Sequence, residues 1–312
     1  METTTDQTDI EEDDGQSWYY RIELEPGEMT PGKPRMTLAM LRETLKRIDL
    51  SGARCLDIGT QEAAGAVSMM RLGAEEVVAY DRLDLTDRIS AVSRAYETPV
   101  TYLGGHFFQD LKRVMGDRNV APVFDFVNFA GVLYHMMDPL AGIAMARSFL
   151  RENGVMLIET SVSVTNNFNM KFNYRGQLYP GSNYFQVSAR TLDYWVRMFR
   201  MRIEDVIWRG ADDVCRVVLV CRATNEPVIG YEDTWALKRF HEMDAAAYGL
   251  DYDALKSAAS GPGFDLFDHD RHDKQNLVDR EARSAMIFGT IKRTGAYQHD
   301  PALEELRLDH AW

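Results

Sequence analysis

The sequence Arg54-Cys55-Leu56-Asp57-Ile58-Gly59-Thr60 is a short apolar run that ends in a carboxylate, a glycine and a threonine. A second apolar run, Val77-Val78-Ala79-Tyr80-Asp81, also ends in a carboxylate. Similar runs, rich in β-branched residues, alternate along the chain with segments of helical period. This alternation is typical of a parallel sheet covered by helices, and it predicts an α/β fold.

Seven such runs are predicted to be strands of one mostly parallel sheet with helices on both faces. They are residues 54–58, 76–80, 99–103, 124–129, 155–159, 201–207 and 214–221. Apolar residues at helical spacing predict helices at 35–48 and 188–199, the second with Ser188 as its N-cap. Asp138-Pro139 is typical of a helix start, and Asn153-Gly154 is expected to end that helix before the next strand.

The chain is expected to have three parts. Residues 1–16 are an acidic tail without a basic residue or an apolar core, which predicts disorder and is unlike a signal or transit peptide. Residues 17–224 form the main domain, in which 161–187 is long for a connection and rich in Asn, Tyr and Phe, as expected of a substrate lid. Residues 225–312 are predicted to be a helical extension, with helices at 232–260 and 275–292 that could cap a pocket or form a homodimer interface.

The composition is that of a soluble globular protein, with 45% hydrophobic and 27% charged residues in a chain of 312. No apolar stretch approaches the roughly 18 to 20 residues of a membrane span, so we expect no membrane partner. A formal net charge of −13 disfavours a nucleic-acid partner, because it repels a phosphate backbone on average. The three cysteines are scattered, and Cys55 and Cys221 lie in apolar runs; this pattern indicates buried, inert thiols and a cytoplasmic location.

An acid-rich stretch near the C-terminus could in principle hold a divalent ion. Its oxygen and imidazole groups are those of Asp265, Asp268, His269, Asp270, His272 and Asp273. No loop pattern with fixed ligand positions is present, so we expect a solvated acidic segment and no metal.

Carboxylates end both of the first two predicted strands. Nucleotide-binding α/β folds grip the ribose hydroxyls with an acidic residue at the end of the second strand, which predicts a ribose site at Asp81. Asp57 lies two residues before Gly59, where it would repel the pyrophosphate of a dinucleotide and attract a cationic ligand. Gln61 and Ala63 also stand where dinucleotide loops usually have glycine. These features favour S-adenosylmethionine, which carries no phosphate, over a nicotinamide cofactor.

The chain resembles the class I S-adenosylmethionine-dependent methyltransferases over about residues 18–222. The resemblance is carried by Leu56-Asp57-Ile58-Gly59-Thr60-Gln61-Glu62, by 77–81, and by 124–135, which ends Gly-Val-Leu-Tyr-His. Residues 18–24, 124–160 and 183–188 are similar to a narrower group, the wobble-uridine tRNA methyltransferases and their small-molecule relatives. The resemblance implies a Rossmann-like fold and S-adenosylmethionine as cofactor. The loop after the first strand has fewer glycines than is usual in the family. The C-terminal segment and the acidic net charge favour a small-molecule acceptor over tRNA.

The predicted donor-binding residues lie where the first four strands end. They are Asp57, Gly59, Thr60, Gln61, Asp81, Arg82, Gly105, His106, Phe107, Asn128, Phe129 and Ala130. The resemblance places the adenine near Gly105, His106 and Phe107; paired glycines there would let a base approach the backbone, although they are equally consistent with an ordinary turn.

His135 is the candidate catalytic base, because an imidazole with an unperturbed pKa of about 6.5 can take a proton from an oxygen or nitrogen acceptor. The alternative is a histidine that only ties its loop to the backbone. Tyr134 could likewise be either a catalytic base or part of the pocket wall.

Acceptor-binding residues are predicted in two segments. They are Trp18, Tyr19 and Tyr20 near the N-terminus, and Tyr174, Arg175, Tyr179, Asn183 and Tyr184 in the lid. Arg175 would suit a carboxylated acceptor. The first set could instead be a hydrophobic clasp on the sheet, and the second a solvated loop.

These observations predict an enzyme that methylates an oxygen, nitrogen or carbon of a small, biosynthetic molecule. Attack on another carbon of the sulfonium, including cyclisation, would use the same pocket. The sequence is also consistent with three other functions: methylation of tRNA, non-catalytic binding of S-adenosylmethionine, and hydride transfer.

Overall fold

A computed structural model describes residues 17–178, 183–211, 213–224 and 286–309. The strands are β1 (Glu23–Glu25), β2 (Glu28–Met29), β3 (Arg54–Ile58), β4 (Glu76–Asp81), β5 (Thr101–Gly104), β6 (Phe124–Ala130), β7 (Leu150–Ser163), β8 (Met170–Phe172), β9 (Phe185–Ser188), β10 (Met201–Gly210) and β11 (Val214–Ala223). The helices are α1 (Met36–Leu45), α2 (Ala64–Arg71), α3 (Thr86–Ala95), α4 (Leu111–Asp117), α5 (Pro139–Ser148), α6 (Ala189–Met198) and α7 (Met286–Arg293).

The seven predicted strands form one continuous sheet in the order β10-β11-β7-β6-β3-β4-β5. The five strands from β7 to β5 run parallel, whereas β11 is antiparallel to both β7 and β10. The prediction of a mostly parallel Rossmann-like sheet is therefore confirmed. The lid adds two short strands, because β9 pairs in parallel with β7 and β8 pairs antiparallel with β9.

Helices cover both faces of the sheet, as predicted. One apolar core lies between the sheet and helices α4, α5, α6 and α7. A second core lies on the opposite face, against α1, α2 and α3. Strand β3 shows why the pattern of apolar residues forces this arrangement: Cys55 faces the second core, whereas Leu56 and Ile58 face the first.

Two of the predicted helix signals are confirmed and one is wrong. The Asp138 carboxylate accepts a hydrogen bond from the Ala141 N–H at 2.9 Å, and the Ser188 hydroxyl accepts one from the Thr191 N–H at 3.1 Å, so each caps its helix. Asn153 does not end α5. It lies inside β7 with a φ of 61°, where the register with β6 shifts, so its left-handed backbone makes an irregularity in the strand.

The C-terminal part returns to the N-terminal segment. Helix α7 packs against α6, and the Ile287 N–H donates to the Asp193 carboxylate at 2.9 Å. Farther on, the Leu306 N–H donates to the Arg21 carbonyl at 3.0 Å, and the Glu23 N–H donates to the Leu306 carbonyl at 2.9 Å. Residues 286–309 are thus part of the main body. The acidic tail at 1–16, the helix expected at 232–260 and the acidic stretch at 265–273 lie outside the described residues.

The three cysteines are buried free thiols. Burial raises the pKa of Cys55 and of Cys215 to about 12, which makes both thiols unreactive near neutral pH, as predicted for Cys55. Within the ranges that the structure covers, no helix is both long and apolar enough to cross a membrane.

Candidate active site

The donor loop, residues 59–65, keeps the shape of a glycine-rich turn with fewer glycines. Gly59 has a φ of +74°, and a Cβ there would lie 2.4 Å from Cγ2 of Val132, so no other residue fits. Gln61 and Ala63 have φ values of 49° and 63°, in the left-handed region that glycine favours. The loop geometry that the sequence left open is therefore the glycine-type turn, held under backbone strain.

Asp57 lies buried beneath the donor loop. One carboxylate oxygen accepts from the Thr60 hydroxyl at 2.7 Å, and the other accepts from Nδ2 of Asn128 at 2.7 Å. Burial raises the pKa of Asp57, although both hydrogen bonds act in the opposite direction. A cation beside this carboxylate would offset its burial. Oδ1 of Asn128, also buried, has no hydrogen-bond partner in the described part of the chain.

Asp81 ends β4 next to the donor loop. Its two carboxylate oxygens accept from the backbone N–H groups of Gln61 and Leu83, each at 3.0 Å. Burial raises the pKa of Asp81. Because each carboxylate oxygen can accept a second hydrogen bond, the residue retains capacity for a pair of hydroxyls. Arg82, the next residue, is exposed.

The loops that follow β4 and β5 are joined by Tyr102 and line one cleft. The Tyr102 hydroxyl donates to the Leu83 carbonyl at 2.7 Å, and the Gly105 N–H donates to the same carbonyl at 3.1 Å. Gly105 and His106 line the cleft, and Phe107 is 63% exposed beside them. The structure thus brings together the three residues predicted to contact adenine.

The end of β6 contributes one side chain to the donor site. Asn128 points to Asp57, whereas Phe129 points to the other face and stacks on Phe108 at 6.2 Å between ring centroids. Alternate residues of a strand face opposite sides, so any contact of Phe129 with a bound donor would be made by its backbone; its predicted place in the pocket lining stays a prediction. Ala130 is half-buried at the strand end.

The aromatic residues of the N-terminal segment are fastened to the donor loop by Glu62. The fully buried Glu62 carboxylate accepts from the N–H of Tyr19 at 2.8 Å and from that of Tyr20 at 3.3 Å. Arg88 lies 3.3 Å from the same carboxylate and donates to the Ser17 carbonyl at 2.5 Å. We call the segment Ser17–Tyr20 with Glu62 and Arg88 the N-terminal clasp.

Tyr20 is the member of the clasp that lies near Asp57 and Tyr134. Burial raises its pKa well above the usual value, and the nearby Tyr19, Asp57, Glu62 and Tyr134 add to the increase. The aromatic segment is thus fastened to the donor loop, and its part in binding an acceptor stays a prediction. Trp18 lies under the Arg88 guanidinium, 5.6 Å from its ring centroid.

The loop after β6 carries both catalytic candidates. The Tyr134 hydroxyl accepts from Nη2 of Arg216 at 3.0 Å, and burial raises its pKa above the usual range. A raised pKa disfavours the ionised form that a base would need, so it favours the pocket-wall role of Tyr134; both roles stay predictions. His135 is exposed, with its ring centroid 4.5 Å from that of Tyr134, so it remains a candidate at the mouth of the loop.

Arg216 and Glu159 form a buried ion pair behind Tyr134. Nε and Nη2 of Arg216 donate to the two carboxylate oxygens of Glu159 at 2.6 and 2.7 Å. This is the bidentate arrangement in which Arg binds a carboxylate most strongly. The attraction of Glu159 outweighs burial and raises the pKa of Arg216.

The lid delivers only part of the predicted set to the site. Tyr174 is 54% exposed, and the Arg175 guanidinium stacks 5.2 Å above its ring. The side chain of Arg175 is exposed, which agrees with the alternative of a solvated loop residue; its contact with a bound carboxylate stays a prediction. Asn183 lines a cleft, and the Tyr184 N–H fastens the lid to the Tyr134 carbonyl at 2.8 Å. Tyr179 lies outside the described residues.

Four functional candidates were not predicted: Glu62, Glu159, Gln186 and Arg216. The two residues of the ion pair had a detectable signal, since each is a charge in an otherwise apolar strand. Glu62 lies inside the donor motif, but its partner segment is far away in the chain and cannot be found from local pattern. Gln186 had no signal beyond its place in the lid.

Known proteins match this chain in its main domain. Residues 34–201 match the family described as "Methyltransferase domain". The ubiquinone biosynthesis O-methyltransferases of Xanthomonas oryzae pv. oryzae (strain PXO99A) and Xanthomonas campestris pv. campestris (strain B100) are 26% identical over 184 residues, which cover 56% of this chain and 74% of each relative. The N-terminal domain of EvdMO1, solved with S-adenosylhomocysteine bound, has a similar fold, with a TM-score of 0.50 at 16% identity over 67% of this chain and 92% of that one.

The family match spans more than half of the 312 residues and contains the donor loop, Asp81 and the end of β6. The sheet order and the position of these residues at the carboxyl ends of parallel strands agree with it. The chain belongs to the class I S-adenosylmethionine-dependent methyltransferases.

Proposed function

We propose that this protein transfers the methyl group of S-adenosylmethionine to an oxygen, nitrogen or carbon of a small biosynthetic molecule. The observation that carries the donor half of the proposal is the pair of buried carboxylates, Asp57 and Asp81, on either side of the donor loop. The acceptor half is supported by the relatives, which are ubiquinone biosynthesis O-methyltransferases, and by the net charge of −13, which opposes tRNA.

The residues fit the donor. Oδ1 of Asn128 is a buried acceptor without a partner in the described part of the chain, and it lies beside the Asp57 carboxylate. Together they would hold an ammonium group. Asp81 would accept the two ribose hydroxyls, and Gly105, His106 and Phe107 would lie against the adenine. When bound, the donor supplies a methyl group on a sulfonium, which is already an activated leaving group.

The contribution of the protein is then mainly to hold the acceptor in line with that methyl group. Tyr20 and Tyr134 would wall the space between donor and acceptor. His135, at the mouth of the loop, would take the proton of an oxygen or nitrogen acceptor.

The first experiment is calorimetric titration with S-adenosylmethionine and S-adenosylhomocysteine. We expect saturable binding of both ligands to the wild-type protein, strong weakening in Asp81→Ala, and no change in the control Asp87→Ala, which alters an exposed carboxylate on α3. Absence of wild-type binding would contradict the proposal.

Analysis of the nucleoside product distinguishes methyl transfer from its chemical alternative. With an acceptor present, methyl transfer releases S-adenosylhomocysteine. Attack on another carbon of the sulfonium releases methylthioadenosine and would contradict the proposed reaction while retaining the donor site.

A further inference from the structure

A second, narrow cleft lies under the lid, where β7, β9 and the loop after β6 meet. It is lined by Tyr134, Ser161, Asn173, Leu178, Asn183, Phe185, Gln186 and Arg216. The space admits about one water-sized group. It could therefore take the polar end of a ligand whose larger part lies outside.

Gln186 presents a polar atom without a partner to this cleft. The residue is 4% exposed, and its Nε2 donates to the Ser161 hydroxyl at 3.1 Å. Its Oε1 has no hydrogen-bond partner among the residues that the structure covers. A buried amide oxygen in this condition is unfavourable, and a ligand that donates a hydrogen bond would satisfy it.

Arg216 lies next to Gln186, because Ser161 is its cross-strand neighbour in the β11–β7 pair. Its Nε and Nη2 are occupied by Glu159 and Tyr134, whereas Nη1 makes no hydrogen bond within the described ranges. Among its lining groups the cleft therefore has an acceptor on Gln186 and a donor on Arg216. The charge of Arg216 is balanced by Glu159, so these lining groups have no net charge.

We infer that this cleft is the polar end of the acceptor site and that it takes a neutral group carrying a hydrogen-bond donor beside a hydrogen-bond acceptor, such as a carboxamide, a lactam or a hydroxy-carbonyl. The ligand N–H or O–H donates to Oε1 of Gln186, and its oxygen accepts from Nη1 of Arg216. A carboxylate is disfavoured, because it has no proton for Oε1 in the amide orientation that the Ser161 hydrogen bond sets, and Glu159 already neutralises Arg216. This inference rests on the proposed function and gives its substrate class.

The test uses benzamide and benzoate, which have the same shape and differ in charge and in hydrogen-bond donors. Affinities are measured by ligand-observed NMR titration of the full-length protein loaded with S-adenosylhomocysteine. We expect benzamide to bind at least about tenfold more tightly than benzoate, the effect of about one buried hydrogen bond. Gln186→Leu should remove that preference. Gln177→Leu, the same change at an exposed position of the lid, should keep it.

Gln186→Glu provides a second test with a side chain of the same size. It adds one negative charge, so we expect benzamide affinity to fall and the cation benzamidine to gain at least about tenfold, because a charge-assisted pair forms. Three results would overturn the inference. The wild type could bind benzoate as tightly as benzamide or more tightly, it could fail to bind benzamide, or Gln186→Leu could leave the benzamide affinity unchanged.

Titration of every variant with S-adenosylhomocysteine distinguishes failure of the acceptor inference from failure of the proposed function. Normal binding of that nucleoside shows that a variant is folded with its donor site intact. If it binds and benzamide is not discriminated, the acceptor inference fails alone. If it does not bind to the wild type, the proposed function fails, and the acceptor inference fails with it.

Discussion

The Glu62 carboxylate accepts the backbone N–H of Tyr19 at 2.8 Å across 43 residues of sequence, so the donor loop itself holds the N-terminal segment in place. Glu62 also accepts from the Tyr20 N–H and pairs with Arg88. The Glu62 carboxylate therefore joins the donor loop to the aromatic segment that lies beside Asp57.

Replacement of Glu62 should release this clasp. Glu62→Ala removes the acceptor of two N–H groups and the carboxylate that pairs with Arg88, and we expect a loss of about 3 kcal/mol in the free energy of unfolding, measured by urea denaturation. Glu62→Gln should lose less, because an amide oxygen still accepts from an N–H group. Affinity for S-adenosylhomocysteine should fall in the same order. Glu75→Ala, at an exposed position, is the control, and a loss in Glu62→Ala no larger than in this control would contradict the assignment.

The strained donor loop should be stabilised by glycine at Gln61. With a φ of 49°, this residue adopts a conformation that costs an L-residue about 1 kcal/mol or more. Gln61→Gly should raise the free energy of unfolding by about 0.5 to 1 kcal/mol after the entropy of the unfolded chain is counted. Gln61→Ala, which keeps the Cβ, should give no such gain in thermal unfolding. Equal effects of the two variants would show that the backbone is not strained.

The sheet could be predicted from the sequence because a strand that is buried on both faces is a short continuous run of apolar residues. All seven strands were located, with ends that differ mostly by one to three residues; β7 is longer, starting at Leu150 and ending at Ser163. The carboxylates at the ends of β3 and β4 were recognised for the same reason, since strand ends and turn residues are neighbours in the chain.

The acceptor side could not be predicted, because its contacts join segments that are distant in sequence. The hydrogen bonds from Tyr19 to Glu62, from Arg216 to Glu159 and from Gln186 to Ser161 each join residues that only the folded sheet brings together. For Arg175 the residue type alone suggested a carboxylate partner, whereas the structure shows the guanidinium stacked on the neighbouring Tyr174 ring.

The Glu159–Arg216 ion pair should be far more important for stability than a surface pair on the same strand. Glu159→Gln leaves the buried Arg216 charge uncompensated, and we expect a loss of about 3 kcal/mol or more. The matched control is Glu204→Gln, which breaks the exposed pair with Arg222 and should cost less than about 1 kcal/mol. Urea denaturation of both variants gives the comparison, and similar losses would contradict a buried role for the first pair.

Binding of the donor should be linked to protons through Asp57. Burial raises the pKa of this carboxyl, so the folded protein holds a proton at pH values where the unfolded chain, with an ordinary pKa of about 3.9, has released it. The protonated group favours the folded state at low pH, and this contribution is lost as the pH rises through the raised pKa. An ammonium bound beside Asp57 requires the ionised carboxylate. Affinity for S-adenosylhomocysteine should therefore increase with pH through that same range, with release of a proton on binding.

Calorimetry in two buffers of different ionisation enthalpy measures the released proton directly. Asp57→Asn keeps the size of the side chain and removes the charge, so we expect weaker binding, by about tenfold, and a smaller proton release. Asp117→Asn, at an exposed position, should behave as the wild type. Equal proton release in the wild type and in Asp57→Asn would assign the linkage to another group, of which Asp81 is the nearest candidate because its pKa is also raised by burial.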